Sequence, residues 1–147
     1  MKNFKISHFV QEYPGQSFPW FRTLSAGEAR QIRRRLAEKL GISPDIDALA
    51  LTERLLKRTL PCGEPNAEDD AFHLQETVAR VGIIPLKTVY VNWYRYDQID
   101  EMYFEELAQY FDNIWYPSSD DIELFDSTCS WLIAISHNGD VLFTRLD

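Results

Sequence analysis

The feature that most constrains the fold is a change of apolar period. Up to Ile83 the spacing is helical, and after it residues alternate. Val89, Val91 and Trp93 point one way and Tyr90, Asn92 and Tyr94 the other, which predicts a long central strand. Asp100 then caps a helix with Phe104, Leu107, Ala108 and Phe111 at i, i+3, i+4 and i+7, and with Glu101, Glu105 and Glu106 toward its start. Three strand-like runs follow. Residues 121–126 place Ile122 and Leu124 inward and Glu123 outward, 131–136 make a second strand, and 140–146 return as a third. Asn138-Gly139 between the last two is a two-residue hairpin signal, since both positions tolerate positive φ. His137, in phase with Trp131, Ile133 and Ile135, is expected to end the buried face. The order strand–helix–three strands predicts a twisted, mostly antiparallel sheet with helices on one face.

The first half is helical. Ser25 and Glu28 form a capping box ahead of Ala29, Ile32, Leu36 and Leu40, and Gly41 supplies the stop. Ser43-Pro44 opens a second helix whose stripe includes Ile46, Leu49, Leu51, Leu55, Leu56 and Leu60, ended by Pro61. A polar connector over 61–70 leads to a shorter helix over 69–81 closed by Gly82. Residues 1–23 say least: Phe9 and Val10 suggest the start of a strand. Phe18, Trp20 and Phe21 around Pro19 suggest an apolar anchor over the first helix, or an exposed aromatic patch. The fold class is α+β, with N-terminal helices packed on a C-terminal mostly antiparallel sheet. One domain spans 1–147: a basic helical part over 1–60, a connector and short helix over 61–82, and an acidic part over 83–147.

Charge divides the chain the same way. Residues 1–60 hold eleven Lys/Arg against six Asp/Glu, and the remainder hold four against seventeen, within a net charge of −8. The acidic half repels nucleic acid and attracts a basic partner. The arginines at 30, 33, 34 and 35 have no groove-reading motif beside them, so a solvated face is expected there. No apolar run is long enough to span a bilayer, the first ten residues are too polar for a signal peptide, and a cytoplasmic protein is the default expectation. Cys62 and Cys129 have neither metal nor redox spacing.

No catalytic signature stands out. Asp120, Asp121, Glu123 and Asp126, with Asp112 before them, form the densest carboxylate cluster but lack the spacing of a calcium loop. Ser136, His137 and Asp140 contain the letters of a triad, yet adjacent strand residues point to opposite faces. His73 has no second ligand one turn away. No cofactor is expected. Recognition remains: Tyr110, Trp115 and Tyr116 beside Asp112, Asp120, Asp121, Glu123 and Asp126 supply aromatic anchors ringed by acids, as an interface against a basic partner requires. One of Trp115 and Tyr116 is expected inside and the other outside.

The run W-Y-P, then D-D-x-x-x-F-D, then W-L-x-x-I-S-H-x-G over roughly 85–146 resembles small acidic bacterial immunity proteins of toxin–immunity systems, including contact-dependent growth inhibition. The resemblance implies a non-enzymatic inhibitor that binds a cognate toxin domain, often a nuclease, and occludes its basic site, with Trp115, Tyr116, Asp120, Asp121 and Glu123 as contacts. Two other readings are open. One is a small metal-assisted hydrolase or ligand-binding domain using the 112–126 carboxylates. The other is a homodimeric scaffold in which the basic helix of one chain meets the acidic half of another.

Overall fold

A computed structural model describes residues 1–147. Six helices, α1 (Asn3–Glu12), α2 (Ala26–Lys39), α3 (Ala48–Leu56), α4 (Leu74–Arg80), α5 (Phe104–Gln109) and α6 (Phe111–Ile114), surround seven strands. The strands are β1 (Phe21–Thr23), β2 (Leu60–Pro61), β3 (Thr88–Tyr94), β4 (Gln98–Tyr103), β5 (Ile122–Phe125), β6 (Trp131–Ile135) and β7 (Val141–Arg145). They form one sheet in the order β1-β4-β3-β5-β6-β7-β2, with every neighbouring pair antiparallel. The α+β class holds, and the two edge strands come from the N-terminal half. No helix is long and apolar enough to cross a membrane.

Helices cover both faces of the sheet, not one. Val89, Val91, Met102, Leu124, Ile133 and Ile135 pack beneath α4, α5 and α6. Ile99, Phe125, Leu132 and Ala134 pack beneath Ala29, Ile32 and Leu36 of α2 and Leu51 and Leu55 of α3. The reason is visible in β6, Trp-Leu-Ile-Ala-Ile: every residue is apolar and every one is buried, as a strand covered on both sides demands.

The Ser25–Glu28 capping box forms reciprocally, but other boundaries differ from the sequence reading. Asp47, not Ser43, caps α3, its carboxylate accepting from Leu49 N and Ala50 N. Residues 3–12 are a helix where a strand was suggested, because the inward stripe pairs Phe9 with a lysine, Lys5, which hides the period. Asp100 sits inside β4, and the helix begins only at Phe104. The turn that creates β4 has Arg95 and Tyr96 at φ of 46° and 59°, left-handed positions usually given to Asn-Gly. Tyr96, fully buried against Phe125, holds that turn in place. At the β6–β7 hairpin only Gly139 takes a positive φ. Its N–H bonds Ser136 O while Ser136 N–H bonds Asp140 O, so the connection is one residue longer than the two-residue turn predicted.

Candidate functional site

Four of the eight residues expected to contact a partner lie in the interior. Trp115 is 1% exposed, stacked on Phe111 with centroids 5.6 Å apart, and its indole N–H donates to Asp120 O at 2.9 Å. Asp120 is buried in an ion pair with Lys5 and accepts Tyr116 N–H at 2.8 Å. The Lys5 ammonium also donates to Ile114 O at 2.7 Å and lies 3.9 Å from the centroid of the Tyr116 ring. Burial lowers the Lys5 amine from its ordinary range, and the bond and charge of Asp120 oppose that shift. The W-Y-P segment therefore clamps α1 to the loop after α6. Tyr116 is half-buried, its hydroxyl 3.2 Å from His8 Nδ1; burial first, then the charges of Asp120 and Glu12, push its phenol up.

Asp126 is 1% exposed, and its carboxylate accepts Trp131 Nε1–H at 2.9 Å, Leu86 N–H at 3.1 Å and Thr128 N–H at 3.0 Å. Glu123, expected to face outward, is buried because the second helical layer covers its face; it accepts Asn92 Nδ2–H at 2.9 Å. His137 is also reversed: it is exposed, with its ring and backbone N–H both bonded to Asp121 Oδ1. The 112–126 carboxylates thus serve separate elements. No three His, Cys, Asp or Glu side chains converge as a metal site. With His137 committed to Asp121, its neighbours Ser136 and Asp140 do not make a triad with it.

An acidic surface with two adjoining clefts lies along α4, α5 and α6. A cleft of about 730 Å³ between α4 and α5 is lined by His73, Leu74, Gln75, Glu76, Ala79, Glu105, Ala108 and Gln109. It shares His73, Leu74, Ala108 and Gln109 with a cleft of about 250 Å³ that reaches Glu12, Tyr13, Asp70 and Asp112. Five carboxylates, those of Glu12, Asp70, Glu76, Glu105 and Asp112, line these two clefts, and no lysine or arginine does. Tyr110, edge-on to Phe9 and Tyr13, is half-buried on the neighbouring turn.

At the other end Glu105 also lines a third cleft of about 530 Å³ with Pro85, Leu86, Lys87, Tyr103, Phe104 and Glu106. Here Trp20, 41% exposed, packs on Tyr103 at 4.8 Å between centroids, and Leu86 and Ile84 are 45% and 92% exposed. Glu106 accepts Trp20 N–H at 2.8 Å. The sequence singles out Trp20 and spaces Tyr103 seven residues before Tyr110, but Ile84 and Leu86 have no signal there beyond being apolar residues flanking Pro85. The arginine face of α2 is partly used within the chain: Arg33 pairs with Asp97 at 2.6 Å and Arg35 donates to Ser127 O.

Comparison with family models, with curated proteins and with solved structures finds no match to the chain.

Proposed function

We propose that the protein is a non-enzymatic inhibitor of the immunity type, which binds a basic effector such as a toxin domain and occludes its active site. The observation that carries this reading is the groove along α4–α6, with five carboxylates and no lysine or arginine, and at its end a patch of exposed Trp20 and Leu86 around half-buried Tyr103, over which Lys87 lies. Acids without cationic partners steer a basic surface toward the groove. The apolar patch then supplies the desolvated anchor that such steering alone lacks. Of the residues picked from sequence, Asp112 lies in the groove and Tyr110 beside it. Tyr116 sits against α1, and Asp121 at the hairpin end.

The test is affinity capture from native lysate at low and high salt, with the wild-type chain and the variant Glu76→Lys/Glu105→Lys. A single basic protein held at low salt, released at high salt and lost by the variant is the expected result. Capture unaffected by the variant, or no basic partner at either salt, overturns the proposal.

A further inference from the structure

A cavity of about 300 Å³ lies on the other face of the sheet, between α3 and strands β3, β5, β6 and β7. Its floor follows from register. Asn92 lies opposite Glu123, Glu123 opposite Ala134, and Ala134 opposite Leu142, so four side chains cross the sheet in one row. Tyr94, Asp121 and Ser136 continue the floor toward the hairpin end, and Thr52 and Leu56 of α3 roof it. The space exists because Ala134, at the centre of the row, has only a methyl group.

The polar groups there are incompletely matched. Glu123 is 6% exposed, and its Oε2 accepts one bond, from Asn92 Nδ2–H at 2.9 Å, while Oε1 accepts none. Asn92 is fixed in turn, its Oδ1 accepting Tyr96 N–H at 2.9 Å. Tyr96 does not line the cavity; its buried hydroxyl has no partner in full hydrogen-bond geometry but lies close enough to Glu123 to pull the carboxyl's pKa down. No lysine, arginine or histidine of the chain pairs with Glu123; Arg95, at the mouth, lies over the Tyr94 ring at 4.9 Å. A buried carboxyl without a cation is costly unless something completes its shell.

We propose that this cavity is a binding site for a small organic cation, an amine or amidine head on a short apolar body. The head donates to the Glu123 carboxylate, and Leu56, Leu142 and Tyr94 enclose the body. Neutral or anionic ligands of the same shape leave the carboxyl unmatched and are excluded. Burial already pushes the Glu123 carboxyl above its ordinary range, with Tyr96 and Asn92 pulling the other way; an entering cation removes that penalty. The volume, at the low end for ligand pockets, suits a molecule the size of benzamidine. This site lies across the sheet from the α4–α6 groove and does not depend on the inhibitor reading.

Titration of the isotopically labelled full chain with benzamidinium, with butyrate as the anionic control, tests it by amide chemical shifts. Saturable shifts confined to residues around 92–96, 121–123 and 134–136, absent with butyrate and weakened roughly tenfold or more in Glu123→Gln, are expected. Glu123→Gln keeps an acceptor for Asn92, so its folding is retained, and Ala134→Leu, which fills the floor, should abolish the response. No saturable shift with benzamidinium, equal binding by Glu123→Gln, or an equal response to butyrate overturns the proposal.

Discussion

Lys5 and Asp120, 115 residues apart, form a buried ion pair that ties the first helix to the loop entering β5. The lysine also bonds the last carbonyl of α6, Ile114 O, so one side chain secures three segments. Lys5→Met leaves Asp120 buried without its cation, and breaking a buried pair this way costs about 3–5 kcal/mol. Urea unfolding should show that loss, and Lys5→Met/Asp120→Asn should recover part of it because the orphaned charge is gone. A double variant no more stable than the single would mean that the stabilisation comes from the Ile114 bond and the aromatic contacts alone.

Asp126 makes a comparable hub without a cation. Asp126→Ala strands the buried Trp131 indole N–H and the Leu86 amide, and each orphaned donor costs on the order of 1–3 kcal/mol. Asp126→Asn retains an acceptor oxygen and should lose less. Thermal melts of the two variants separate these cases; equal losses would show that charge, not donor satisfaction, is what Asp126 supplies.

The legible parts of the fold were those where local chemistry and tertiary packing agree. The Ser25–Glu28 box, the apolar run of β6 and the Gly139 turn each carry their own physical reason, and each formed near its expected place. Elements failed to show where a residue of the wrong class occupied a structural position. Lys5 took an interior helix position, and Arg95-Tyr96 took a turn that glycine usually marks. Glu123 failed for a different reason. Alternation correctly put it on the face opposite Ile122 and Leu124, but nothing local said that α2 and α3 cover that face. The acidic cluster read from the sequence dissolved because its members alternate between the interior and two surfaces. The groove carboxylates, from Glu12 to Asp112, come from α1, the loop before α4, α4, α5 and α6, and could be assembled only by the fold.

Glu123 also makes a pH-dependent prediction. Its folded pKa is raised by burial, so the folded state holds the proton more tightly than the unfolded chain. The carboxyl therefore costs stability above its folded pKa, and the cost disappears as pH falls below the ordinary carboxylate value of about 4. Tyr96 and Cys129, packed nearby, are themselves pushed upward by burial and stay neutral through this range. Glu123→Gln should melt higher than wild type near neutral pH and at the same temperature in acid. A lower melting temperature at neutral pH would show that the carboxylate is stabilising, and would remove this account of its burial.

The last prediction separates steering from anchoring on the α4–α6 face. Rim charges act mainly on association and are screened by salt, whereas a packed aromatic acts mainly on dissociation. With a captured partner in hand, Glu76→Lys/Glu105→Lys should slow association roughly tenfold at low salt and converge on wild type at high salt. Trp20→Ala should leave association unchanged and speed dissociation, by about 2 kcal/mol in affinity if it is a hot spot. Asp121→Lys is the informative control, because Asp121 is exposed but held to His137 at the hairpin end, apart from the groove carboxylates. Surface plasmon resonance on the three variants decides between the surfaces. If Asp121→Lys slows association while the groove reversal does not, the partner docks at the hairpin end, and the α4–α6 groove is only a solvated acidic face.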